Sequence, residues 1–324
     1  MGADVDFYEN KFFPEDEGTS KPGLARSIRR LFLPNRKQRY IDNLIATISD
    51  KHYDYLFCVG GFSITPALLQ HVKANNPAAR TIIYFWDSFS VWNYSSLCNL
   101  FDKAFSFDPV DCQQHTDLHY LPLFYTSEYD KADSDPQEQD LDFLYIGSVG
   151  IASADRCQIL GALSDYAEKN GYSKFLWLYF APNDSGVLKR TINLGKRLLL
   201  PHYRDFIRNI ESTELHYDFI KRTTLSREKV ADLAKRAKCI IDIPVPGQAG
   251  MTIRTIEMLA KGKKIITTNQ WIQQEKIYDP EYIQVIDKSF HEIREGFINS
   301  KPKHQMDVSD LHISRWITTF FSKA

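Results

Sequence analysis

The sequence predicts an α/β protein with two domains, each built around a parallel β-sheet. The length of 324 residues suits two domains of ordinary size, each long enough to bury a core. Short apolar segments such as residues 239–243 alternate with helix-like patterns, and strands that are apolar on both faces are typical of parallel sheets. Residues 127–140 are acidic, polar and proline-containing, which indicates a linker. We therefore predict an N-terminal domain at residues 1–126, a C-terminal domain at 141–303 and a final helix within 304–324.

Composition narrows the class of protein. The net charge is −1, which argues against a nucleic-acid partner. The five cysteines are scattered without a C-x-x-C pair, so the sequence predicts a reducing compartment and no zinc site. The first residues are polar and acidic rather than signal-like, and no apolar run approaches the ~20 residues that span a bilayer. We expect a globular, cytoplasmic protein.

The predicted strands of the first domain end in glycine or polar residues. They lie at residues 4–8, 53–59, 81–86, 104–107 and 119–121. Gly60 and Gly61 follow the second of them, and Thr65-Pro66 then marks a helix start with a cap and a proline at the first position. Because ligands bind at the carboxyl ends of strands in open α/β sheets, the glycine pair is a candidate wall of a ligand site; an ordinary tight turn is the alternative.

Two aspartates also stand at strand ends in this domain. Asp87 follows the strand at 81–86, and Asp108 follows the strand at 104–107. A carboxylate at such a place can act as a general base toward a substrate hydroxyl. It can equally cap the next turn, and the Asp108-Pro109 pair favours capping there. Asp87 is therefore the candidate base.

The second domain repeats the same alternation. Strands are predicted at residues 141–146, 174–181, 215–220, 239–243, 263–269 and 283–286, with helices at 227–238, 289–298 and 311–321. The first strand runs into Gly147 and Ser148, and Arg156 then lies in the first turn of a helix. A glycine loop followed by an early arginine is a pattern that suits an anion.

The same pattern recurs at residues 239–269, around which the chain is organised. The loop at 246–250 contains Gly247 and Gly250, whose missing Cβ atoms let backbone approach a ligand. Thr252 is the expected N-cap of the following helix, and Gly262 is expected to end it.

Arg254 is the unusual residue of this helix. A positive charge in the first turn opposes the helix macrodipole, and it is tolerable where an anion binds. Glu257 lies three residues further on, so that both side chains share a face. A surface ion pair between them, worth under about 1 kcal/mol, explains the spacing equally well.

A family resemblance adds to this interpretation. The segments Gly250-Met-Thr-Ile-Arg-Thr-Ile-Glu257 and Ala260-Lys-Gly262 resemble the donor-binding βαβ unit of GT-B glycosyltransferases, particularly bacterial enzymes of capsule and lipopolysaccharide biosynthesis and their spore-maturation relatives. The strings at residues 101–111 and 122–125 resemble the same group, so the resemblance covers both halves of the chain. It implies the GT-B fold, in which two Rossmann-like domains face each other across a cleft.

The resemblance also implies a reaction and a site. The donor is a nucleotide-sugar, and the acceptor is a growing surface glycan or a lipid-linked glycan bound by residues 60–125, with Gly60, Gly61 and Asp108 on that side. No cofactor or metal is expected, and no D-x-D motif follows a strand. The residues expected to bind the donor are Gly147, Ser148, Arg156, Gly247, Gly250, Thr252 and Arg254 at the diphosphate and Glu257 at the ribose.

The basic stretch at residues 21–39 contains seven lysines and arginines and no acid. A solvated helix face is the first interpretation of such a stretch. Peripheral contact with the inner face of an anionic membrane is the second, and a lipid-linked acceptor favours it. The final helix is expected to dock on the first domain, with a membrane face as the alternative.

Two other functions share parts of this evidence. A nucleotide-sugar 2-epimerase has the same architecture but takes no acceptor. A non-catalytic glycan-binding module keeps the fold without turnover.

Overall fold

The computed structural model describes residues 2–11, 13, 36–130, 139–181, 195–290 and 293–321. The chain divides into two compact units, Met1–Pro122 and Leu123–Ala324. Each unit contains its own parallel sheet, and the two are described in turn.

The first unit contains a four-stranded sheet in which all neighbours are parallel and the strand order is β1-β2-β3-β4. The strands are β1 Tyr55–Val59, β2 Arg80–Phe85, β3 Lys103–Ser106 and β4 Leu118–Tyr120. The helices are α1 Arg36–Ile48, α2 Pro66–Asn75 and α3 Pro109–Gln114. Five of the six residues of β2 are buried, because a central parallel strand is covered on both faces.

Helices α2 and α3 both begin with a capping side chain followed by proline. The Thr65 hydroxyl accepts a hydrogen bond from the Leu68 amide, and the Asp108 carboxylate accepts one from the Val110 amide at 2.9 Å. Proline fits the first position because it lacks an N–H that would have no partner there. The predicted helix start at Thr65-Pro66 is confirmed.

Two apolar clusters lie in the core of the described part of the first unit. Ile41, Ile48, Leu68 and Val72 pack between α1 and α2. Residues of β1, β2 and β3, with Phe89, Leu97 and Phe101 from the connections, form the other cluster.

Residues 4–8 do not form the predicted strand. They lie outside the ladder, although Asp6 contacts the segment just before β1: its carboxylate accepts hydrogen bonds from Lys51 Nζ and the Tyr53 hydroxyl, both at 2.7 Å. The alternation of charged and apolar residues therefore produces a segment held by side chains rather than by backbone pairing.

The second unit contains a six-stranded parallel sheet with the order β10-β9-β8-β5-β6-β7. Its strands are β5 Leu141–Ser148, β6 Lys174–Tyr179, β7 Ile220–Lys221, β8 Ala237–Asp242, β9 Lys264–Thr267 and β10 Ile283–Val285. Its helices are α4 Arg156–Asn170, α5 Pro201–His216, α6 Arg227–Arg236, α7 Ile253–Ala260, α8 Glu295–Asn299 and α9 Ile313–Phe321. When the strands are numbered within the unit, their order is 3-2-1-4-5-6. This is the strand order of a doubly wound Rossmann sheet, in which the order of addition reverses between the first and fourth strands.

Two predicted elements of the second unit are wrong. The strand expected at residues 215–220 is only Ile220–Lys221, because α5 continues to His216. The helix expected from residue 289 begins at Glu295. Phe290 has a φ of 59°, a left-handed conformation that a helix cannot contain, so the helix starts later.

The final helix, α9, packs within the second unit. The Phe124 and Trp316 ring centroids are 4.4 Å apart, and Tyr125 pairs with His312 in an isolated parallel bridge. Residues 123–129, part of which the sequence assigns to the linker, are therefore held by the last helix and the turn before it.

One finding bears on the predictions about membranes. In the described ranges, no helix combines the length and hydropathy needed to cross a bilayer. Most of the basic stretch, residues 21–35, lies outside the described residues, and only its end, residues 36–39, belongs to α1.

Asp111 leads to a prediction about stability and pH. It is 5% exposed, its carboxylate accepts a hydrogen bond from the Phe89 amide at 2.8 Å, and burial raises its pKa to about 6, with Asp108 adding to the effect. A folded-state pKa above the unfolded value means that stability falls as the pH rises through about 6. We expect Asp111→Asn, which keeps an acceptor for Phe89, to raise the melting temperature at pH 7.5 and to lose that advantage near pH 4.5.

Asp102→Asn is the matched control in the same unit. Burial raises the pKa of Asp102, but hydrogen bonds from Thr81 and Lys73 outweigh that effect and lower it. Its contribution to stability is therefore present at neutral pH and lost in acid, so the substitution should lower the melting temperature at pH 7.5. Melting curves in which both variants shift in the same direction at pH 7.5 would contradict this account.

Candidate functional site

The two central strands of the second sheet separate at their carboxyl ends. Strands β5 and β8 pair from Leu141 and Ala237 as far as Leu144 and Ile240. Beyond that point β5 stays paired with β6 to Ser148, and β8 stays paired with β9 to Asp242. A crevice therefore opens where the strand order reverses, which is where doubly wound sheets bind ligands.

Arg156 bridges this crevice from the first turn of α4. Its Nη1 donates to the Ser148 carbonyl at 2.7 Å, and its Nε and Nη2 donate to the Ile243 carbonyl at 3.0 and 2.7 Å. These carbonyls lie on opposite sides of the separation, so the guanidinium satisfies acceptors that the parted strands cannot pair. The sequence predicts contact between Arg156 and a phosphate. In the structure, three of its five guanidinium N–H groups donate to backbone carbonyls, and two remain.

Gly147 makes room for a tyrosine beside Arg156. A Cβ atom at Gly147 would overlap the Tyr145 hydroxyl, so any larger residue there would displace the tyrosine. Tyr145 is 3% exposed, and burial raises its pKa to about 12, while the charges of Arg156 and Arg254 lower it. The hydroxyl is therefore neutral at physiological pH and lies in the field of both arginines.

Asp242 ends β8 and is a residue that the sequence analysis missed. Its carboxylate is buried, and it accepts hydrogen bonds from the Thr252 hydroxyl at 2.7 Å and the Thr267 hydroxyl at 3.0 Å. Thr252 also accepts from the Thr255 amide, which confirms it as the N-cap of α7. The Thr252 hydroxyl has a single proton, which it donates to Asp242. Its side chain therefore caps the helix start and has no proton left to donate to a ligand. The sequence signal that could have identified Asp242 is an aspartate at the end of a predicted strand, shortly before a capped helix.

The loop before α7 is held in one conformation. Gly247 has a φ of 86°, which favours glycine, and the Gln248 amide closes a turn onto the Val245 carbonyl at 3.0 Å. The Asn269 amide group donates to the Ala249 carbonyl at 2.9 Å and more weakly to the Gly250 carbonyl at 3.5 Å. The loop that leads into the N-terminus of α7 is thus held by hydrogen bonds from Asn269 and within its own turn.

Arg254 and Glu257 lie one turn apart on α7, as the spacing predicted. Among the described residues, Arg254 makes no hydrogen bond and no ion pair, so the surface-pair alternative is not what the structure contains. Burial raises the pKa of Glu257, although the charge of Arg254 lowers it. A half-buried guanidinium without a partner beside a helix N-terminus is suited to an anion.

Tyr129 is a neighbour of Glu257 that the sequence analysis placed in the linker. It lies in a short turn at Ser127–Tyr129 that contacts α7, and burial, with the charge of Glu257 adding to it, raises its pKa to about 12. Lys261 Nζ lies 5.9 Å from the centre of its ring. The carboxylate expected at the ribose therefore has a tyrosine from outside the sheet as a neighbour.

The candidate residues of the first unit lie at the carboxyl edge of its own sheet. Asp87 follows β2 and is half-buried, and burial raises its pKa. Asp108 is fully buried and caps α3. Gly60 has a φ of 73°, and a Cβ at Gly61 would lie 2.7 Å from the Tyr94 ring.

Among the residues that the structure describes, no group of three or more His, Cys, Asp or Glu side chains is placed to hold a metal ion.

Comparison with known proteins shows the fold. No family model matches the sequence, and no curated protein matches it. The N-terminal domain of trehalose-6-phosphate phosphatase from Candida albicans matches in structure with a TM-score of 0.58 at 10% identity, covering 94% of this chain and 76% of that one. A UDP-forming α,α-trehalose-phosphate synthase from Burkholderia xenovorans, in complex with glucose-6-phosphate, gives 0.59 at 11% identity over 88% and 76%. A trehalose-6-phosphate synthase studied with bisubstrate glycomimetics gives 0.56 at 9% identity over 88% and 77%.

These similarities establish the class of fold. The predicted fold class, GT-B with two Rossmann-like domains, is confirmed. At 9–11% identity they establish nothing finer.

The buried carboxylate of Asp242 provides a test of this description. We expect Asp242→Ala to lower the free energy of unfolding by about 2–4 kcal/mol, because the buried Thr267 hydroxyl and the half-buried Thr252 hydroxyl lose their acceptor. Asp242→Asn, which retains one acceptor oxygen, should cost clearly less. Urea denaturation of the three proteins measures the difference, and an alanine variant as stable as the wild type would show that the network does not support the site.

Proposed function

We propose that the protein is a glycosyltransferase that moves a sugar from a nucleotide-sugar donor to a glycan acceptor. The observation that carries this proposal is Arg254, a half-buried guanidinium without a hydrogen-bond or ion-pair partner among the described residues, at the start of α7 beside the crevice. A positive charge in the first helical turn is unfavourable by itself and becomes favourable when an anion binds. A sugar nucleotide carries such an anion in its phosphates.

The donor is proposed to lie at the separation of β5 and β8. Its diphosphate meets the N-terminus of α7, Arg254 and the two remaining N–H groups of Arg156. Glu257, one turn into α7, accepts hydrogen bonds from the ribose hydroxyls. Tyr129 is a neighbour of that carboxylate.

The reaction is proposed to be displacement at the anomeric carbon. The bond from that carbon to the acceptor oxygen forms, and the bond to the phosphate oxygen breaks. The acceptor hydroxyl gives its proton to a base, for which Asp87 is the candidate because burial raises its pKa and makes it a better proton acceptor. Arg254 and the helix N-terminus stabilise the charge on the departing nucleotide.

Two lines of evidence support the substrates. The similar synthase from Burkholderia xenovorans is UDP-forming and was solved with glucose-6-phosphate, which supports a nucleotide-sugar donor and a sugar-containing acceptor. The resemblance to capsule and lipopolysaccharide enzymes favours a surface glycan or glycolipid as that acceptor, and we propose this class.

A thermal-shift screen with UDP, GDP, dTDP and CMP tests the donor site. A nucleotide at 100 times its Kd stabilises the native state by about 2.7 kcal/mol, which corresponds to roughly 5 °C for a protein of this size. We expect one nucleotide to shift the wild type, and Arg254→Ala and Glu257→Ala to abolish most of that shift.

Matched controls come from α6, which begins at the same sheet but away from the crevice. Arg227 and Glu228 occupy its first turn, so Arg227→Ala and Glu228→Ala should keep the full shift. If no nucleotide shifts the wild type at millimolar concentration, the donor site is wrong. If a nucleotide and a glycan bind but no sugar is transferred, a glycan-binding module replaces the enzyme.

A further inference from the structure

We propose that Tyr129 contacts the bound nucleotide, and that the last helix, α9, holds Tyr129 in that position through residues 123–129, here called the anchoring segment. The proposal rests on the proposed function and deepens it, because it adds a residue to the donor site and a route by which another helix sets the affinity for the nucleotide. Tyr129 is a binding residue in this account, and His312 is a positioning residue that acts through it.

Tyr129 lies against the face of α7 that carries the proposed donor residues. The short turn Ser127–Tyr129 contacts α7. Lys261 Nζ, about one turn after Glu257, lies 5.9 Å from the centre of the Tyr129 ring. Arg254, Glu257 and Lys261 follow one another at helical spacing, so their side chains share one face of the helix. A ligand bound by Arg254 and Glu257 therefore lies within reach of Tyr129.

The electrostatics of this cluster agree with its geometry. Burial raises the pKa of Tyr129 to about 12, the charge of Glu257 adds to the effect and the charge of Arg254 opposes it. Both proposed donor residues therefore lie close enough to act on the phenol. The hydroxyl is protonated at physiological pH, so it can donate a hydrogen bond to a ligand.

A tyrosine beside a carboxylate suits the nucleoside part of a sugar nucleotide. Ribose hydroxyls can donate to Glu257 and accept from the Tyr129 hydroxyl, and the tyrosine ring offers an apolar surface to the ribose or the base. A diphosphate alone uses neither feature, because it offers only charge and acceptor oxygens. Tyr129 is therefore expected to distinguish a nucleotide from inorganic pyrophosphate.

Backbone hydrogen bonds attach the anchoring segment to the start of α9. The Tyr125 amide donates to the Leu311 carbonyl at 3.0 Å, and the Ile313 amide donates to the Tyr125 carbonyl at 2.9 Å. The ring centroids of Phe124 and Trp316 are 4.4 Å apart. Because the Tyr125 side chain is buried, this attachment combines paired backbone groups with apolar packing.

His312 extends the attachment on both sides of Tyr129. Its Nε2 lies 3.1 Å from the Ser127 hydroxyl oxygen and 3.6 Å from a carboxylate oxygen of Asp130. Its Nδ1 lies 2.6 Å from the Ser314 hydroxyl oxygen, which orients the ring. The contacts of His312 therefore restrict the positions that Tyr129 can take. A binding residue that is held in place before the ligand arrives loses less conformational entropy on binding.

Calorimetric titration of the full chain with two probes tests the role of Tyr129. The probes are the nucleotide that gives the largest thermal shift and inorganic pyrophosphate. We expect Tyr129→Ala to weaken nucleotide binding about tenfold and to leave the affinity for pyrophosphate within about twofold of the wild type. Tyr129→Phe, which keeps the ring and loses the hydroxyl, should fall between the two. Arg254→Ala should weaken the binding of both probes.

His312→Ala tests the role of α9. It should weaken nucleotide binding about threefold with little effect on pyrophosphate, and it should have no further effect when Tyr129 is already alanine, because residues that act through one another are not additive. Thr319→Ala is the matched control on the same helix. Thr319 is exposed, and its hydroxyl donates to the Arg315 carbonyl at 3.4 Å within α9, so this variant should bind both probes as the wild type does.

Three results would overturn the inference. One is a Tyr129→Ala protein that binds the nucleotide as the wild type does. Another is an equal loss of nucleotide and pyrophosphate binding, because Tyr129 would then only support the structure of α7. The third is additivity of the His312→Ala and Tyr129→Ala effects, which would show that His312 acts elsewhere.

Failure of the proposed function has a different signature. A wild type that binds neither probe contradicts the donor site itself, and the inference falls with it. A wild type that binds the nucleotide and loses that binding in Arg254→Ala, but not in Tyr129→Ala, contradicts this inference alone.

Discussion

The separation of β5 and β8 is the constraint on which the second unit depends. A parallel sheet whose connections pass to opposite sides must open between its two central strands, and the opening leaves backbone carbonyls without partners. Arg156 supplies donors to one carbonyl on each side. The same side chain therefore completes the backbone hydrogen bonding of the fold and places positive charge at the mouth of the crevice.

A buried carboxylate beneath the proposed anion site is unfavourable without partners, and two hydroxyl groups donate hydrogen bonds to it. Thr252 and Thr267 donate hydrogen bonds to the Asp242 carboxylate. Neither of the nearby arginines, Arg156 and Arg254, is therefore needed to pair with it. A salt bridge from Arg254 to Asp242 would have stabilised the carboxylate and removed the free guanidinium. Hydroxyl donors keep the charge of the site available to a ligand.

Local signals predicted much of this architecture, because they depend on neighbours in sequence. The caps Thr65 and Thr252, the glycine after α7 and the alternation of strands follow from patterns a few residues long. The use of Arg156 and the role of Asp242 could not be predicted in this way, since their partners lie on other elements. Tyr129 was hidden for the same reason: its acidic, polar surroundings are typical of a linker, and only tertiary packing brings it to Glu257.

The pairing of Tyr125 with His312 has a consequence for synthesis. The first unit ends at Pro122 and contains its own sheet and core, so the strands of that sheet can pair once that residue has left the ribosome. The segment that follows completes its contacts later, because the Ser127 hydroxyl hydrogen-bonds with His312, which lies 185 residues further along the chain. Contacts of such long sequence separation form late and slowly. Translation thus imposes an order of assembly, in which the first unit is complete while the opening segment of the second still lacks the helix that covers it.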